Sequence, residues 1–88
     1  MTAEIAVSIQ QSTREAISDG VITAKIRAAL GQDPITARYA ICVETLAGIV
    51  ELTGFVETQL VRVEAVHVAE HIHGVLRVED SLDVRCVD

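Results

Sequence analysis

The spacing of the apolar residues constrains this chain most, because the spacing changes its period along the sequence. Residues 20–31 carry apolar side chains at helical intervals that begin at Ile22, which predicts one amphipathic helix. We expect Asp19 to cap the start of this helix. Gly31 and then Pro34 end it, since proline cannot continue the helical hydrogen-bond ladder.

The segment that follows alternates with a period of two residues, which is typical of strands. One run places Ile41, Val43 and Thr45 on a single face. After Ala47-Gly48, a second run continues this face with Val50, Leu52, Gly54 and Val56. Two such runs joined by a short turn that contains glycine predict an antiparallel hairpin.

A second helix and a third strand complete the pattern. Thr58 is expected to cap the helix, whose sheet-facing stripe includes Ala65 and Ala69. Gly74 is expected to end it in a left-handed conformation. Even-numbered apolar residues then predict a strand over about residues 76–86.

The element order predicts an α+β fold, a two-layer αββαβ sandwich with two helices on one face of a three-stranded sheet. Residues 19–88 form the domain, and residues 1–18 are an N-terminal extension of undecided structure. The third strand is parallel to the second, but whether it pairs with the second strand or lies beyond the first stays open.

The second face of the predicted sheet has no helix to cover it. It carries more apolar side chain than a solvated face normally does. Either residues 1–10 fold back over this face, or a second copy of the chain covers it. Its residues are Ala40, Cys42, Glu44, Leu46, Ile49, Glu51, Thr53 and Phe55.

Several segments between residues 19 and 86 form one combined pattern. They are Asp19-Gly-Val-Ile-Thr-Ala-Lys-Ile-Arg-Ala-Ala-Leu30, Ile41-x-Val43, Gly48-Ile-Val50-x-Leu52-x-Gly54-Phe-Val56-Glu-Thr-Gln59, Ala65-Val66-x-Val68-Ala69, Gly74-Val75 and Val78-x-x-x-Leu82-x-Val84. Together they resemble the BON domain family, named for bacterial OsmY and nodulation proteins. The pattern residues are not reactive, and they describe a scaffold. We expect Gly48 to let the hairpin reverse, and Gly54 to let a helix approach the sheet closely.

The resemblance implies a non-enzymatic module of bacterial envelope proteins that is associated with phospholipid contact, membrane integrity and osmotic stress. Such modules usually occur in tandem behind an export signal, whereas this sequence shows one copy and no visible signal peptide. We expect a periplasmic or envelope location if a signal was removed, and the cytoplasm otherwise. Two alternatives stay open: a cytoplasmic potassium-binding domain, and an oligomerising structural module.

The amino-acid composition limits the classes of partner that the chain is expected to bind. The chain has 13 acidic and 7 basic residues, a formal charge of −6, one Phe, one Tyr and no Trp. Such a chain repels a phosphate backbone and lacks aromatic side chains for base stacking, so we expect no nucleic-acid partner. No motif of a catalytic site, cofactor or metal centre is present, and His67 and His71 are expected to be solvated on the outward face of the second helix.

The remaining expectations concern contact residues. Lys25 and Arg27 are the candidates for phospholipid contact, on the exposed flank of the first helix. A protein partner or a second copy of the chain would contact the uncovered sheet face and the outward face of the second helix. The candidate residues for that contact are Cys42, Leu46, Ile49, Phe55, Leu60 and Val63.

Overall fold

The computed structural model describes residues 18–85. Helix α1 covers residues 18–32, and it is followed by strands β1 (Cys42–Leu46) and β2 (Ile49–Val56), helix α2 (Gln59–Glu70) and strand β3 (Arg77–Val84). This order confirms the predicted αββαβ arrangement. The expectation for residues 1–10 and the predicted end of the third strand at residue 86 lie outside the described residues.

The three strands form one sheet in the order β1-β2-β3. Strands β1 and β2 are antiparallel, with Leu46 opposite Ile49. Strands β2 and β3 are parallel, with Ile49 opposite Arg77. The third strand therefore pairs with the second, which decides between the two orders that the sequence left open.

Both helices bury their apolar stripes on one face of this sheet. The central contacts are made by Ile26 of α1, Leu52 of β2 and Ala65 of α2, each fully buried. The small side chains of α2 let its backbone approach the sheet. The core cluster contains Ile22, Ile26, Leu30, Val43, Val50, Leu52, Ala65, Ala69 and Leu82.

The β1–β2 turn has a tertiary partner in α1. Ala47 and Gly48 have φ angles of 51° and 80°, the left-handed pair that a tight two-residue hairpin needs. Their backbone N–H groups donate to the carboxylate of Asp19, at 2.8 and 3.1 Å. The expectation that Asp19 caps α1 was wrong, since the chain is already helical at residue 18 and this carboxylate holds the turn instead.

Gly54 is required by a neighbour that the sequence did not indicate. Its φ is +129°, and a Cβ at this position would lie 2.7 Å from the carbonyl oxygen of Ala40. The close approach is therefore made by the backbone that leads into β1, and the expectation that a helix makes it was wrong.

The ends of α2 agree in part with the prediction. The hydroxyl of Thr58 accepts a hydrogen bond from the Val61 N–H at 3.3 Å, which confirms the N-cap. The helix ends at Glu70 with His71 as the C-cap residue in a right-handed conformation. Gly74 has a φ of +99° but lies in the turn beyond this cap, so it redirects the chain towards β3 and does not end the helix.

Candidate functional site

The face of the sheet opposite the helices is open in the described part of the chain, and we call it the outer sheet face. The strand register arranges its side chains in four rows that run across the strands. The apolar row contains Leu46 and Ile49, with Arg77 at its end, and the glutamate row contains Glu44, Glu51 and Glu79. The small polar row contains Cys42, Thr53 and Ser81. The aromatic row contains Phe55 and Asp83.

Two large apolar side chains of this face lie in solvent. Leu46 is 78% exposed and Phe55 is 56% exposed. The guanidinium of Arg85 lies 3.9 Å from the centroid of the Phe55 ring, within the range of a cation–π contact. Cys42 is an exposed free thiol on the same face. Four of the six residues predicted for protein contact, including Ile49, therefore share one surface.

Sequence reasoning placed Glu44 and Glu51 on this face but missed that Glu79 extends them into a row. Neighbouring strands lie about 4.8 Å apart, so three carboxylates stand abreast. Glu79 is paired with Arg77 at 2.9 Å, whereas Glu44 and Glu51 have no basic side chain of residues 18–85 within ion-pair distance. An open groove of about 700 Å³ at the β1 edge of the sheet borders these glutamates, Leu46 and Ile49, and it continues around the edge to Thr23 of α1. Only the pairing of β3 with β2 reveals the full row, because Glu79 is far from the other two glutamates in sequence.

Leu76 was also missed, although it is 79% exposed. Its N–H donates to the carbonyl of Gly48 at 2.8 Å, which places it at the hairpin end of the sheet. By strand alternation, Leu76 would lie on the same side as the partly buried Val78 and the buried Leu82. Because it precedes the first residue of β3, it escapes the cover that these two residues receive.

The outward face of α2 is a separate surface. Leu60 and Val63 are exposed there, on the other side of the sheet from Phe55. The rings of His67 and His71 lie 4.2 Å apart, and the Nδ1 of His71 is hydrogen-bonded to the carbonyl of His67 at 2.7 Å. Among residues 18–85, no group of three or more His, Cys, Asp or Glu side chains is placed to hold a metal ion.

Helix α1 presents a third surface, which carries the predicted phospholipid residues. Lys25 and Arg27 are exposed and flank the buried Ile26 in sequence, so they project about 100° to either side of it. They do not share one flank, as the sequence suggested, but border the outward face from both sides. That outward face is uncharged and includes Val21, which is 47% exposed. Between residues 18 and 32 the only acidic side chain is Asp19, which is bound to the hairpin turn.

One carboxyl pair joins the end of α1 to α2. A hydrogen bond with Glu64 lowers the pKa of Asp33, and the N–H of Ile35, which donates to Asp33 at 2.8 Å, lowers it further. The same carboxyl–carboxyl hydrogen bond, together with desolvation, raises the pKa of Glu64. Of the two carboxyls, Glu64 is therefore the one that takes up a proton first as the pH falls. This pair links two elements, and its Glu64 borders the outward face of α2 beside His67.

No helix in the described range 18–85 combines the length and apolar character that a transmembrane span requires.

Comparison with known proteins agrees with this architecture. The model of the BON domain matches residues 18–86. The chain belongs to the BON domain family. This BON domain is 44% identical over 69 residues to "Osmotically-inducible protein Y" of Escherichia coli (strain K12). The match covers 78% of this chain and 34% of the relative, so the chain spans about a third of that protein's length.

The residues that carry the family resemblance have packing roles in this BON domain. Gly48 forms the left-handed turn, and Gly54 makes room for the Ala40 carbonyl. Ala65 and Ala69 lie fully buried between α2 and the sheet. Family membership therefore predicts the packing of the covered sheet face. The partners of the domain have to be inferred from its exposed surfaces.

Proposed function

We propose that this BON domain is a non-catalytic interaction module of the bacterial envelope that makes weak contact with phospholipid surfaces under osmotic stress. Family membership and the name of the relative support the link to osmotic stress. The observation that carries the phospholipid contact is the outward face of α1, where Lys25 and Arg27 border an exposed, uncharged surface around Val21.

This arrangement suits a helix that lies on a membrane. A basic side chain on either border can reach phosphate groups while the uncharged face between them meets the headgroup region. Each basic residue contributes about 1 kcal/mol near an anionic leaflet, so two of them give weak binding. The formal charge of −6 on the whole chain opposes binding further. Contact of this kind is reversible and sensitive to salt.

The absence of catalysis belongs to the same proposal. It is supported by family membership and by the pattern residues, whose work in the fold is to make turns and close contacts. A turnover assay that gave reproducible product would contradict it.

Co-sedimentation with lipid vesicles tests the phospholipid contact. We expect the protein to pellet with phosphatidylglycerol-rich vesicles at low salt, less at high salt, and not with pure phosphatidylcholine. The double variant K25Q/R27Q should lose this binding. The matched control R77Q/R85Q also removes two positive charges, but from the outer sheet face, and should bind as the parent does or more weakly by a small factor.

Two results would contradict the phospholipid contact. One is the absence of pelleting with anionic vesicles at low salt. The other is an equal loss of binding in both double variants, which would show that only net charge matters and that α1 has no special part. The envelope location is tested separately, by fractionating cells after an osmotic upshift and locating the native protein.

A further inference from the structure

We propose that the outer sheet face is a docking surface for a cationic, partly apolar segment of another protein. This surface lies on the opposite side of the sheet from α1, and the inference does not rest on the phospholipid contact. Its residues are those of the apolar row, the glutamate row and the aromatic row defined above.

The apolar part of the argument comes from Leu46 and Phe55. Both are mostly exposed, and they stand at opposite ends of the face with the glutamate row between them. Single exposed apolar residues are ordinary on a protein surface. Here Ile49 extends the Leu46 side into a row, and a groove of about 700 Å³ runs beside it around the β1 edge of the sheet. A partner that covered both ends would bury apolar surface on each side of the acidic centre.

The charge part of the argument comes from the glutamate row. Glu44 lies directly opposite Glu51, which lies beside Glu79 on the third strand. Like charges directly opposite one another on adjacent strands destabilise a sheet. Within the described residues only Glu79 has a basic partner, Arg77. A basic side chain placed over the row by a partner would remove this repulsion and add charge-assisted hydrogen bonds.

A second copy of the chain fits this face poorly. In a two-fold pairing centred on the row, the three glutamates would meet their own equivalents. Shifting the copies would place carboxylates against Leu46 or Phe55, where the nearby Arg77 and Arg85 are already paired with Glu79 and Asp83. The added carboxylates would be desolvated without a free basic partner on this face. The charge pattern therefore selects a partner of opposite sign.

The N-terminal residues of the chain also lack the required charge. The ionisable side chains of residues 1–17 are Glu4, Arg14 and Glu15, an excess of one negative charge. Their alternating Ile5, Val7 and Ile9 could cover apolar rows but bring no basic group opposite the glutamates. A separate cationic segment matches the face better than this one does.

The row spacing defines the segment. Rows follow each other at two residues along a strand, about 6.6 Å, so the glutamate row lies that far from the apolar row and about 13 Å from Phe55. On a helix laid along the strands, an apolar residue and a lysine four positions later are about 6 Å apart. A helical peptide of about 15 residues, with leucines at both ends and lysines nearer one end, spans the three rows.

Fluorescence anisotropy with the full chain and such a labelled Leu/Lys peptide tests the proposal. We expect saturable binding that weakens with salt, and no binding of the matched Leu/Glu peptide. The variant E44Q/E51Q should bind at least about tenfold more weakly, since two charge-assisted contacts are lost. The control E64Q/E70Q removes two negative charges from α2 and should bind within about twofold of the parent. Both variants should remain folded, which thermal denaturation checks.

Three outcomes would overturn the proposal. Equal weakening by both double variants would mean that net charge alone attracts the peptide. Dimers that form with rising protein concentration in sedimentation experiments, and that protect the outer sheet face, would assign that face to a second copy of the chain. Contacts in the nuclear magnetic resonance spectrum between residues 1–17 and Leu46 or Phe55 would assign it to the N-terminal segment. None of these outcomes bears on whether K25Q/R27Q abolishes vesicle binding.

Discussion

The two faces of the sheet differ in what determines their residues. On the covered face, Val50, Leu52 and Ala65 exclude water completely, and the choice of residue is decided by volume and backbone approach. On the outer sheet face, Leu46 stands in solvent beside a row of glutamates that repel one another. The covered face explains why the chain folds. The exposed leucine and the repelling glutamates of the outer sheet face do not stabilise the isolated fold, so we interpret this face as a contact surface for a partner.

The largest expected difference between the two faces is in the free energy of unfolding, when one leucine on each face is replaced by alanine. Leu52→Ala leaves a cavity under both helices and should lower the free energy of unfolding by about 2–5 kcal/mol. Leu46→Ala removes a side chain that is mostly in water and should change it by no more than about 0.5 kcal/mol. Urea denaturation of both variants measures this, and similar losses in the two would contradict the one-sided sheet.

A second pair of variants compares two glycines. Gly54→Ala forces a Cβ against the Ala40 carbonyl at a positive φ, and we expect a loss of about 2–4 kcal/mol from overpacking and backbone strain. Gly20 in α1 has nothing within 4 Å of its missing Cβ. Gly20→Ala should therefore be neutral or stabilise by up to about 1 kcal/mol. A tolerated Gly54→Ala, seen as an unchanged urea midpoint, would show that the segment before β1 is not held where the structure places it.

The sequence predicted the covered face well because periodicity reports which side chains are buried. The helical stripe of α1, the hairpin and the Thr58 cap all follow from patterns within a few residues. The same information assigned Cys42, Leu46, Ile49 and Phe55 to the outer sheet face. Strand order could not be predicted, since a helical crossover permits the third strand on either side of the hairpin.

The errors involve contacts between residues that are distant in sequence. Asp19 has the residue type of an N-cap and precedes the apolar stripe of α1, yet it lies within the helix and its carboxylate binds a turn 28 residues later. Gly54 was assigned to helix approach because the segment before β1 has no periodicity to reveal its path. The glutamate row depends on register across three strands, which no single segment contains.

The third prediction concerns the link between α1 and the hairpin. Asp19→Ala leaves two turn N–H groups without their carboxylate, and we expect a loss of about 1–2 kcal/mol. Asp83→Ala breaks only the exposed pair with Arg85 on the outer sheet face and should cost about 0–1 kcal/mol. Amide hydrogen exchange at Ala47 and Gly48 adds a local readout, since the Asp19→Ala variant alone should accelerate it. Unchanged exchange there would contradict the assigned role of Asp19.

The smallest effect is expected from the Asp33–Glu64 pair and depends on pH. The folded-state pKa of Glu64 is raised, so protonated Glu64 stabilises the folded protein at low pH. This stabilisation is lost as the pH rises through the folded-state pKa of Glu64. The folded-state pKa of Asp33 is lowered, so its contribution is lost only as pH falls through that lower value. Glu64→Gln supplies a donor at every pH. Its Tm should exceed that of the parent at neutral pH.

The advantage of Glu64→Gln should disappear below the ordinary glutamate pKa of 4.5, where the parent carries the proton itself. A Tm difference that is independent of pH would show that the two carboxyls do not share a proton. Glu70→Gln, on the same helix, serves as the control and should show no comparable pH dependence.

The accessibility of Cys42 tests the open outer sheet face most directly. In a Cys86→Ser variant, Cys42 is the sole thiol, and its rate of alkylation can be compared in the native and the urea-unfolded chain at several protein concentrations. An exposed thiol reacts freely, so we predict native and unfolded rates that agree within a small factor at every concentration. A native rate at least about tenfold slower would mean that part of this chain, or a second copy, already covers the face, and it would contradict the account.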